Sequence, residues 1–96
     1  MTVSEQRLSQ IAHRFAELEA RLASGTLEGA DFVAASRDYA ELEPVAKAAR
    51  EVQTMRAELA ELDGIVDPDP DMRALAQEEV QRLKAELPEA EHRLSI

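Results

Sequence analysis

The sequence predicts an all-α protein, an elongated antiparallel three-helix bundle with coiled-coil-like packing. Three observations predict it. Apolar residues recur every three or four positions in three separate stretches, which gathers them on one stripe of a helix. Two short segments, one opening on Ser24-Gly25 and the other rich in Pro and Asp, separate those stretches. The 96 residues contain only two Phe, one Tyr and no Trp. Aromatic side chains supply the largest buried areas, so a compact globule built from this chain would be short of core. Long helices sharing a narrow Leu/Ala seam need less, and Ala, Leu, Glu, Arg and Gln are strong helix formers.

The first helix is expected over about residues 4–24. Ser4 is a good N-cap, and Glu5 follows in the first turn, where the positive helix end favours an acid. Its stripe is Leu8, Ile11, Phe15, Leu18 and Leu22. Glu17 and Arg21 stand four apart in the favourable order. Ser24-Gly25 ends the helix, since glycine accepts the left-handed conformation of a C-terminal cap. A short connection through Ala30 follows, with Thr26 and Asp31 both eligible to cap the next helix.

The second helix is expected over about residues 30–63. Its stripe runs Phe32, Ala35, Tyr39, Leu42, Ala46, Ala49, Val52, Met55, Leu59 and Leu62. A helix of this length extends roughly 45 Å. Pro44 lies inside it and forfeits one backbone hydrogen bond. The stripe is unbroken on both sides, which favours a kink over a break. The segment Asp63-Gly64-Ile65-Val66-Asp67-Pro68-Asp69-Pro70-Asp71 then stops the helix.

The third helix is expected over about residues 70–94, with Asp69 as N-cap, Pro70 as first helical residue and Asp71 in the first turn. Its stripe is Met72, Leu75, Ala76, Val80, Leu83, Leu87, Ala90 and Leu94. Glu78–Arg82 and Glu89–Arg93 are further four-apart pairs, and Pro88 falls late in the helix. Each helix has one apolar face and none is stable alone. The second, as the longest, is the expected spine. The first packs on its N-terminal half and the third runs back along it, with Tyr39, Leu42, Met72 and Leu75 in the core.

The chain carries 11 Lys and Arg against 20 Asp and Glu, a net charge of −9. Phosphates would be repelled, so no direct nucleic-acid binding is expected, nor docking on an anionic membrane. No apolar run approaches the roughly 20 residues that span a bilayer. There is no cysteine, and so no disulfide or thiolate chemistry. His13 and His92 belong to no metal-binding pair and read as surface residues. The aspartates at 63, 67, 69 and 71 do not fit a calcium loop, because the required glycine and glutamate positions are wrong in either register. No phosphate-binding glycine loop or nucleophile elbow is present. The expectation is therefore a cytoplasmic protein with no catalytic, cofactor-binding or metal-ligating residue.

Two stretches carry a resemblance. Ser36-Arg37-Asp38-Tyr39-Ala40-Glu41-Leu42-Glu43-Pro44-Val45 and Asp69-Pro70-Asp71-Met72-Arg73-Ala74-Leu75-Ala76-Gln77-Glu78-Glu79 both resemble the N-terminal helical domain of bacterial peptide chain release factor 1, a class I translation release factor. The order fits as well, with Arg14-Phe15-Ala16-Glu17-Leu18-Glu19 in the opening helix and Phe32 four residues before Ser36. The resemblance covers nearly the whole chain. Pro44 and the Asp-Pro-Asp-Met turn lift it above a generic coiled coil and look more like type 1 than type 2. It implies a factor that ends translation on the ribosome at UAA and UAG codons. In that family, later domains read the codon with Pro-x-Thr and promote peptidyl-tRNA hydrolysis with Gly-Gly-Gln. Neither motif occurs here, so residues 1–96 read as the N-terminal domain alone and not as an enzyme. The partners that the resemblance implies are the ribosome, at its GTPase-associated region, and the recycling GTPase release factor. The alternative is a stand-alone acidic coiled-coil adaptor or assembly module whose seam pairs two copies.

Overall fold

The structure, a computed structural model, describes residues 3–95. Three helices form, α1 (Glu5–Ala23), α2 (Gly29–Asp63) and α3 (Pro70–Ser95), with no strand among the described residues. Ser4 stands in extended conformation and its hydroxyl accepts the Arg7 backbone N–H at 3.1 Å. This satisfies one of the donors that a helix start leaves open. At the other end Ser24 N–H donates to the Ala20 carbonyl, Ser24 Oγ to the Arg21 carbonyl, and Gly25 turns the chain away with φ at +71°. α2 passes Pro44, and α3 passes Pro88, without interruption.

Neither candidate cap of α2 acts as one. Glu28 holds the N-cap position with no side-chain hydrogen bond. The reason lies in Gly29, whose φ of +56° makes the chain enter the helix two residues before Asp31. Asp31 is thus already in the first turn, where its charge still complements the helix end. Thr26 is taken up instead by Ser24, their hydroxyls lying 2.8 Å apart. α3 begins as its sequence dictates, with Asp69 Oδ1 accepting the Asp71 N–H at 2.9 Å.

α2 is the spine. α1 lies along its N-terminal part, where Phe15 stacks on Tyr39 with ring centroids 4.7 Å apart and Leu18 and Ala35 are buried. α3 lies along its C-terminal part. All three helices meet only at mid-rod, where Leu8, Ala49, Val52 and Ala90 form one buried cluster. Val3, Ile11, Met55, Leu87 and Leu94 pack around it. Alanines on α2 and α3 let the axes approach closely there. The overlap is therefore short and the molecule long, measuring 61 × 27 × 18 Å. Its radius of gyration is 18.1 Å, against roughly 12–13 Å for a compact domain of this size.

The structure revises parts of the predicted stripes. Tyr39 and Leu42 are half-buried, but Met72 and Leu75 are 49 % and 58 % exposed, and Phe32 is exposed as well. The periodicity of these residues is right, yet a stripe is buried only where another helix faces it. Ala76 and Val80 still face Leu62 and Ile65 across a groove. Met72 and Leu75 lie beyond that reach, and the first fully buried residue of α3 is Leu83.

The four-apart ion pairs are also redistributed. Glu17 meets His13 and Arg14 instead of Arg21. Arg82 pairs with Glu79 and Glu86 in place of Glu78. Arg93 reaches across to Glu51 on α2, at 3.1 Å, in place of Glu89. An exposed intrahelical pair contributes only about 0.3–0.5 kcal/mol, too little to hold a long side chain against an equivalent carboxylate nearby.

Candidate interaction surface

The most connected polar side chain is Arg56, on α2 beside the central cluster. Its Nη1 donates to Glu5 Oε1 at 2.7 Å and its Nη2 to the Val3 carbonyl at 2.6 Å. Nη2 also lies 3.7 Å from Glu91 Oε2 on α3. The Arg56 side chain is 18 % exposed and that of Glu91 16 %. One guanidinium thus joins the segment entering α1 to the last turns of α3 through α2. The planar fork of arginine suits this divergent set of acceptors better than a lysine would.

Apart from Val45, midway along α2, the exposed large apolar side chains lie toward the two ends of the rod. At the α1–α2 end these are Phe32 and Val33. At the α2–α3 end they are Ile65, Val66, Met72 and Leu75, with Val66 91 % exposed. A groove of about 260 Å³ runs beside them, lined in part by Leu62, Ile65, Ala76 and Val80. The four aspartates predicted to form a capping turn surround this end. Asp67 Oδ1 accepts the Asp69 N–H and Asp69 Oδ1 accepts the Asp71 N–H, each at 2.9 Å. Arg73 Nη1 donates to the carbonyls of Asp67 and Pro68, so it clamps the turn by its backbone without an ion pair to the carboxylates among the described residues.

Burial against α1 pushes the Tyr39 phenol above its ordinary value, and the Glu19 and Glu43 carboxylates and a hydrogen bond to Glu19 add to the shift. A group raised in the folded state stabilises fully below its ordinary value of about 10 and loses that contribution as pH climbs through the raised one. Tyr39 is the single tyrosine and there is no tryptophan, so tyrosinate absorbance reports this one ring. Its titration midpoint is expected above the ordinary tyrosine value, with unfolding becoming easier in the same alkaline range. A midpoint at the free-tyrosine value would show that the stack on Phe15 does not shield the ring. At the exposed Glu79, the hydrogen bond from Arg82 holds the carboxyl below its usual range. All three partners of that network stand in solvent, where such pairs stabilise little.

His13 is exposed and lies 2.7 Å from Glu17, and His92 is exposed. No group of three His, Cys, Asp or Glu that could hold a metal occurs among the described residues. No helix among them is long and apolar enough to cross a membrane. Sequence reasoning passed over Arg56. The available signal was its place next to Met55 on the flank of the seam, where a long cation can lie along apolar surface.

Fold and surface together define an elongated all-helical domain with a polar junction at mid-rod and exposed apolar side chains toward its tips. Residues 11–96 match the PCRF domain family, and the chain belongs to that family. It is 71 % identical over all 96 residues to peptide chain release factor 1 of Novosphingobium aromaticivorans and 60 % identical, again over 96 residues, to that of Erythrobacter litoralis. The corresponding factor of Caulobacter vibrioides is 40 % identical over the full chain. The match falls on the N-terminal part of these relatives, and the chain spans 26–27 % of their length. No solved structure matches.

Proposed function

We propose that this chain is the N-terminal interaction domain of a peptide chain release factor that terminates translation at UAA and UAG codons on the ribosome. The observation that carries the reading is the 71 % identity, without interruption in coverage, to a release factor 1. The domain itself is non-catalytic. Codon reading and peptidyl-tRNA hydrolysis belong to regions of the factor outside these residues, the latter to its Gly-Gly-Gln region. The factor works in the cytoplasm, and this domain faces the GTPase-associated region of the ribosome and the recycling GTPase release factor. A rod with net charge −9 suits protein surfaces there, since ribosomal RNA would repel it.

The test is peptide release from programmed ribosomes by the full-length factor that carries this domain. Release is expected at UAA and UAG and not at UGA. Removing residues 1–96 is expected to preserve hydrolysis and to abolish acceleration of factor turnover by the recycling GTPase. A full-length factor that releases nothing at UAA or UAG would overturn the assignment.

A further inference from the structure

We infer that the α2–α3 tip is a docking surface for a basic amphipathic helix of a partner protein. The first ground is a stripe that the fold leaves uncovered. Met72 and Leu75 continue the spacing that buries Leu83 and Ala90, yet both are exposed, together with Ile65 and Val66. Four large apolar residues so close in sequence exceed the scatter of single exposed side chains that a soluble surface tolerates. The second ground is shape. The groove lined by Leu62, Ile65, Ala76 and Val80 lies between two helix ends, the arrangement in which an added helix sets its apolar face.

The third ground is charge, and it selects the occupant. Residues 63–73 hold four aspartates and one arginine, 1 − 4 = −3. Among the described residues no ion pair reaches Asp63, Asp67, Asp69 or Asp71, whereas the cations Arg14, Arg56, Arg82 and Arg93 are all matched to acids elsewhere. Arg73 and Lys84 line the groove together with Asp63 and Asp67, so the excess of acid lies on its rim, at Asp69 and Asp71. An apolar anchor flanked by Lys or Arg satisfies both the groove and the rim. A second copy of this chain would bring another −9 and the same aspartates. An RNA would bring phosphates to a negative rim. This inference does not depend on the release-factor assignment.

The experiment titrates the 96-residue chain, labelled for heteronuclear NMR, with a synthetic Leu/Lys amphipathic peptide of about four helical turns. Shift changes are expected to concentrate on Leu62, Ile65, Met72, Leu75 and Val80. The double substitution Met72→Ser with Leu75→Ser is expected to weaken binding about tenfold or more, as loss of two apolar anchors does. Val33→Ser, at the opposite tip, is expected to leave affinity unchanged and serves as the internal control. Both variants alter exposed positions and keep the helical circular dichroism. Shifts spread evenly over the acidic faces would overturn the proposal, as would equal weakening by Val33→Ser. So would tighter binding of a single-stranded RNA oligonucleotide, or concentration-dependent dimerisation abolished by the Met72/Leu75 substitutions.

Discussion

Leu8→Ala is expected to lower folding stability by about 3–5 kcal/mol. Leu8 is fully buried, and it sits at the one level where α1, α2 and α3 meet. Truncation removes apolar area and leaves a void whose walls are the backbone-close Ala49 and Ala90 with Val52. Those side chains have no length with which to fill it, and the longer Ile11, Met55 and Leu87 around them can close only part of it, so the cost stays within the usual range. Domains of this size have about 5–15 kcal/mol in total, and a rod with so little shared core stands low in that window. Urea unfolding followed by circular dichroism measures the change. Leu75→Ala, on the same kind of stripe but exposed, is expected to shift stability by about 0.5 kcal/mol or less. Equal effects at the two sites would mean that the central cluster is not where the helices are held.

Arg56→Met carries the second large effect, a loss of about 2–3 kcal/mol. Methionine retains most of the apolar stem, so the substitution isolates the guanidinium. The contact with Glu5 contributes little of that figure, because Glu5 is largely exposed and water screens the pair. The remainder comes from the Val3 carbonyl and from Glu91, both reached from a partly buried cation. A hydrogen bond to a charged group contributes about 1.5–3 kcal/mol. The signature is local as well as global. Amide exchange should quicken at the start of α1 and in the last turns of α3, and much less at the α2–α3 tip. Unchanged exchange at both places would show that the apolar cluster alone fixes the three helices.

The local features were legible because their causes lie within a few residues. Ser4 caps α1 and Asp69 caps α3 through hydrogen bonds that span two or three positions. Gly25 takes the left-handed turn that its lack of a side chain permits. At α2 the same reasoning failed, because a second glycine, Gly29, set the helix start between the two candidate caps, past Thr26 and ahead of Asp31. Ion pairs were the least legible. Glu17, Arg82 and Arg93 each had several acceptable partners within reach, and the energy separating them is smaller than thermal rearrangement of a long side chain.

The sequence by itself determined three helices, their order and the apolar face of each, since helical periodicity and chain breakers act over one or two turns. Only the tertiary structure decided how far the helices overlap. That offset confines the three-way core to Leu8, Ala49, Val52 and Ala90, recruits Arg56 as the polar junction, and leaves Met72 and Leu75 uncovered at the tip. The physical reason is that a stripe specifies which side of a helix is buried but not at what height its partner ends, and that height follows from how three rods of unequal length settle against one another.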